Sequence, residues 1–105
     1  MVSDEKMERA LEYLADTDER VAHLHADCLR AEYLADVAES LAYKMAEGTV
    51  EDRKREAKAT QAVKDAKDKY FAAVVAYEAM RAKRKRAELT VDVWRSINAN
   101  RRMAA

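Results

Sequence analysis

The chain has 105 residues, with no proline, one glycine (Gly48), one cysteine (Cys28) and one tryptophan (Trp94); its 20 basic and 20 acidic side chains cancel to zero net charge. A β-rich domain needs turns built on Gly and Pro, a disulfide scaffold needs paired cysteines, and a membrane span needs about 18 to 20 consecutive apolar residues. None of these is present, and the first residues (Met-Val-Ser-Asp-Glu) hold no signal-peptide core, so the expectation is one soluble, cytoplasmic, all-α domain over residues 1–105.

In chain order, Ser3 is a candidate N-cap, and an Ala/Glu/Lys/Leu/Arg-rich run without breakers follows it. The spacing predicts helix one over about residues 4–47. Met7, Leu11, Leu14 and Val21 start one apolar stripe, and Leu24, Cys28, Ala31, Leu34, Ala38, Leu41 and Met45 carry a shifted one. Asp18 interrupts the first, so a stutter or bend is expected near residues 16–20. Glu12-Tyr13-Leu14-Ala15-Asp16 recurs as Glu32-Tyr33-Leu34-Ala35-Asp36. A shift of 20 residues turns a helix by about 200°, so the two copies face opposite ways and coincidence is the better reading.

Gly48 supplies the left-handed residue that closes a helix, and Thr49 can cap the next, with Asp52 three residues on. The turn is therefore placed at 48–49 and helix two over about residues 50–100. Ala59, Val63, Ala66, Tyr70, Ala73, Tyr77, Met80, Arg84, Ala87, Val91, Trp94 and Asn98 follow alternating steps of four and three, a heptad seam with polar breaks at Arg84 and Asn98. A short connection makes the helices antiparallel neighbours in a long hairpin. Its alanine-rich seam buries little area, which favours dimerisation into a four-helix coiled-coil bundle; the alternative is a break in helix one that yields a third helix and a compact monomer.

Charge is sorted along the chain. Residues 1–48 hold 12 acids and 5 bases, a net −7, and residues 49–105 hold 8 acids and 15 bases, a net +7. A turn at 48–49 sets residue i level with about 97 − i, which brings Glu12 beside Lys85 and Asp16 beside Arg81. The acidic row Glu8, Glu12, Asp16, Glu19 thus runs along the basic run Arg81-Ala82-Lys83-Arg84-Lys85-Arg86. Two readings stand for that run: phosphate binding by clustered cations, or pairing within the hairpin, where each exposed pair contributes only about 0.2–1 kcal/mol.

By the same count Asp4 lies level with Val93, so the chain from about Trp94 onwards overhangs helix one. That stretch holds Trp94, Arg95, Asn98, Arg101 and Arg102 and no acid. Trp and Arg are the residues most enriched at binding hot spots, and the arginine fork suits phosphates and carboxylates. The candidate interface is therefore Arg81, Lys85, Trp94, Arg95, Asn98, Arg101 and Arg102, against the alternative that Trp94 caps a dimer core and the arginines are solvated. His23, His25, Asp27 and Cys28 are the one cluster with metal-ligand chemistry, but at i, i+4 and i, i+3 spacings they lie on different helix faces and do not converge on one ion. Cys28 lacks a helix N-terminus to activate it, and there is no glycine-rich loop for a phosphate cofactor. Tyr33, Tyr43, Tyr70, Phe71 and Tyr77 fit a seam better than a base-stacking platform. No enzymatic activity, cofactor, metal or small-molecule substrate is expected.

Gly48-Thr49-Val50-Glu51-Asp52-Arg53, the run from Ala76 to Leu89, and Val93-Trp94-Arg95-Ser96-Ile97-Asn98-Ala99-Asn100-Arg101 together resemble a group of small helical proteins encoded by tailed bacteriophages. The Trp-Arg-Ser…Asn-Arg tail is the most specific part; the likeness departs near residues 53–65, where Thr60, Gln61 and Val63 stand. Members are associated with early phage genes of DNA replication and recombination. The resemblance implies a virus-encoded accessory protein that engages DNA or a DNA-processing protein, with inhibition of a host enzyme or anti-phage defence complex as the alternative.

Overall fold

A computed structural model describes residues 2–104. Three α-helices account for nearly all of them: α1 (Asp4–Met45), α2 (Val50–Ala59) and α3 (Gln61–Ala104). The chain is an all-α helical hairpin that divides into two compact units, one drawn from the chain's two ends up to Ala22 and from Glu78 onwards, the other His23–Tyr77. No described helix is long and apolar enough to cross a membrane.

The caps form where the sequence places them. Ser3 Oγ accepts from the Lys6 amide at 3.1 Å. Gly48 takes φ +109°, and Thr49 Oγ1 accepts from the Asp52 amide at 3.2 Å to open α2. That backbone strains any other residue, and a Cβ on Gly48 would lie 3.2 Å from the Asp52 Cβ, close enough to push that side chain aside.

Two expectations are overturned. Helix two is not continuous over 50–100, because Thr60 adopts ψ 147° and separates α2 from α3. Its hydroxyl donates to the Ala57 carbonyl at 2.9 Å and accepts from the Val63 amide at 3.4 Å, ending one helix and capping the next. The reason lies in the packing. Six residues of unbroken helix turn about 600°, which leaves Ala57 and Val63 about 120° apart. The extended Thr60 resets that phase, and both residues are buried, at 1% and 0% exposure. The third helix thus arises from a break in the second half of the hairpin, not the first.

Helix one is unsplit, and a single stripe along it is buried. Burial along α1 follows Met7, Ala10, Leu14, Thr17, Val21, Leu24, Cys28, Ala31, Ala35, Ala38 and Ala42 in regular steps of three and four, with Ala46 closing the run. Leu11, Leu34, Leu41 and Met45, expected inside, are exposed. The seam of α3 explains the choice. From Val63 to Asn98 every expected seam residue is buried or half-buried, including Tyr70, Tyr77, Met80 and Trp94; of the expected set, only Ala59, ahead of the break, is exposed. Opposite Met80 and Trp94, α1 sets Tyr13, Met7, Ala10 and Leu14, whereas beside Thr60 and Ala62 it sets Ala38, Ala42 and Ala46, so side-chain volume is shared between the facing positions.

Candidate interface at the basic end of α3

The first of the two units is organised by Arg84. This residue sits at a seam position, and its side chain is only 16% exposed. Nη1 donates to the Leu14 carbonyl at 2.8 Å and to Thr17 Oγ1 at 2.6 Å, while Nη2 donates to Asp18 Oδ1 at 2.6 Å. The Thr17 hydroxyl in turn donates to the Tyr13 carbonyl at 2.7 Å, and the Tyr13 hydroxyl donates to Met80 Sδ at 3.4 Å. A helical side chain leans towards the N-terminus of its own helix, which on α3 points Arg84 towards Asp18. The two polar interruptions visible in the sequence, Asp18 and Arg84, are therefore partners. Sequence reasoning noted both and missed the pairing, since a level of 97 − i sets Arg84 beside Tyr13 and ignores that lean.

The same lean relocates Trp94. Its indole folds back over the paired stretch, half-buried, against Met7, Ala10 and Val91 with Val2, Leu14 and Ala87 around them. Nε1 donates to Asp4 Oδ1 at 2.7 Å. Trp94 is thus covered by α1 of its own chain and is not part of an exposed overhang, a correction to the sequence reading. Asn98 is half-buried and gives its amide to the Trp94 carbonyl at 3.0 Å. What continues beyond the level of Asp4 is residues 95–104, about 15 Å of helix, on which Arg95, Arg101 and Arg102 are exposed. Arg81 and Lys85 are exposed too, and Arg81 reaches Glu78, one turn back on its own helix, at 3.0 Å. The acids Glu8, Glu12, Asp16 and Glu19 are all exposed on α1.

The second unit places the remaining candidates. His25 stacks on Tyr77 with ring centroids 4.9 Å apart and 18° between planes, and Cys28 is buried. Among the described residues no three His, Cys, Asp or Glu side chains come together as a metal site. Tyr70 is half-buried beside Glu32. The charge of that carboxylate holds the phenol above its ordinary value of 10.0, with desolvation and a hydrogen bond to the same carboxylate adding to the effect. Near the turn, the Arg53 guanidinium lies over the Tyr43 ring, 4.4 Å from its centroid, and Nη2 donates to the Tyr43 carbonyl at 3.2 Å. This clamp ties α2 to α1. Its sequence signal, an arginine ten residues after a tyrosine across a turn, is too common to have singled it out. In comparisons with known proteins, no family model, curated protein or solved structure matches the chain.

Proposed function

We propose that the protein is a non-catalytic phage accessory protein whose basic α3 end engages DNA or a DNA-processing protein of replication or recombination. The observation that carries this reading is the exposure of Arg95, Arg101 and Arg102 on residues 95–104, a stretch without a single acid. Arginine contacts phosphate through a planar fork, and a local cluster acts at short range even where net charge is zero. Arg81 and Lys85 extend the cationic surface along the helix. In this reading Trp94 and Asn98 set the position of the tip by their bonds to Asp4 and to the helix backbone.

Fluorescence anisotropy with labelled single- and double-stranded DNA at 50 and 200 mM salt tests the proposal. If three arginines each neutralise one phosphate, affinity falls about 40-fold across that range. Arg95/Arg101/Arg102→Ala abolishes the salt-dependent binding, while Trp94→Phe retains it. A second reading, an inhibitor that presents acids to a basic host enzyme or defence complex, is favoured by the exposed row Glu8, Glu12, Asp16 and Glu19. Absence of nucleic-acid binding at 50 mM salt, with nuclease-resistant capture of a host protein that is lost in Glu8/Glu12→Lys, decides for the inhibitor.

A further inference from the structure

The His23–Tyr77 unit exposes more apolar side chains than its thin core explains. Leu34, Leu41 and Met45 are 53%, 57% and 85% exposed. With half-buried Ala38 they form a stripe of steps four, three and four on α1, directly beside the seam of buried Ala35 and Ala46 and half-buried Ala42. A helix with one partner needs one apolar stripe; two adjacent stripes suit a helix that touches two neighbours, as in a four-helix bundle. Where α2 ends at Thr60, Leu41 and Met45 border an apolar groove whose other wall is Ala62, with Glu56 at its rim.

We infer that the Leu34–Ala38–Leu41–Met45 stripe and the groove beside it are the docking face for the same face of a second copy of this chain. Three observations select that occupant. The accessible surface is 7988 Å², whereas a folded monomer of 12.0 kDa exposes about 6,000 Å². The surplus of about 2,000 Å² per chain falls within the roughly 1,000–2,500 Å² that each copy of a permanent homodimer covers. The unit is also close to neutral, with 10 acids and 9 bases over residues 23–77, so two copies meet without strong repulsion. Lastly, the stripe is self-complementary when reversed. A two-fold axis between Ala38 and Leu41 sets the small Ala38 of one copy against Leu41 of the other, and Leu34 against Met45, the exchange an isologous interface requires.

This inference is independent of what the basic tip engages, and it is tested by mass and by position. Light scattering on the full chain between 1 and 100 μM is expected to give twice the chain mass. Leu34→Glu/Leu41→Glu weakens self-association by at least about 30-fold, the effect of losing one hot-spot contact, with helical circular dichroism unchanged because both residues are exposed. In a Cys28→Ala background, Ala38→Cys/Leu41→Cys forms disulfide-linked dimers under mild oxidation, because residue 38 of one copy faces residue 41 of the other, and Val75→Cys, on an exposed site outside the stripe, does not. A chain-sized mass at every concentration overturns the proposal, as does preferential cross-linking through residue 75. A one-to-one complex of a monomeric chain with another protein through this stripe overturns it as well. Should Cys28→Ala disturb folding, the mass of the unmodified chain and of the double-Glu variant still decides.

Discussion

From Met7 to Val21, α1 meets α3 through a methionine, a tryptophan, a valine and a buried-facing arginine; from Leu24 to Tyr43 its buried side is mostly alanine and Cys28, facing Val63, the half-buried Tyr70 and Tyr77, and α2. The first unit contains the polar network that specifies register, because Arg84 can satisfy Leu14, Thr17 and Asp18 at only one level of α1. The second unit places its polar contacts differently, with Arg53 over Tyr43 near the turn and Tyr70 bonded to Glu32, and the break at Thr60 leaves Ala57 and Val63 both buried. The difference teaches that the two units hold α1 by different means. The end that fixes alignment has larger side chains inside. The end built on small ones leaves leucine and methionine outside, where a second chain can use them.

Val63→Asp breaks the second unit most directly. Val63 is fully buried, so placing a carboxylate there costs about 4 kcal/mol by urea denaturation. A loss below about 1 kcal/mol would mean that the seam is open to water at that point. Arg84 sharpens the comparison from the other end. Arg84→Ala removes both the packed stem and the hydrogen bonds, for about 2 kcal/mol. Arg84→Met keeps the stem and costs under about 1 kcal/mol, because Asp18 is mostly exposed and is not stranded as a buried charge. Equal losses for the two variants would assign the stabilisation to the polar contacts instead of the packing.

The smallest effect is a pH dependence confined to the turn-bearing unit. Tyr70 has its folded pKa raised, so it favours the folded state while protonated. That contribution is complete below the ordinary tyrosine range and is lost as pH rises through the higher folded value. Ultraviolet titration should show one tyrosine ionising late, and Glu32→Gln should return it towards its ordinary value, since the Glu32 charge is the leading cause. An unchanged late phase in that variant would remove Glu32 as the origin.

Much of the hairpin was legible in the residues alone. The lack of proline, the single glycine and the Ser3 and Thr49 caps determine where helices start and where the chain reverses, because these are local backbone properties that need no partner. The α3 seam was equally legible, since large residues at heptad spacing have one sensible orientation. The exposure of Arg95, Arg101 and Arg102 was legible in the acid-free tail, whereas Trp94 turns inward because a helical side chain leans back along its own helix. On α1 two stripes competed, leucines against alanines, and size alone points to the leucines. Only the tertiary structure turned the alanines inward, where Ala38, Ala42 and Ala46 lie beside Thr60 and Ala62, and only it set Ala57 and Val63 both buried on either side of the extended Thr60. Local signals decide which segments are helical; the face each helix buries is decided by the volume its partner leaves.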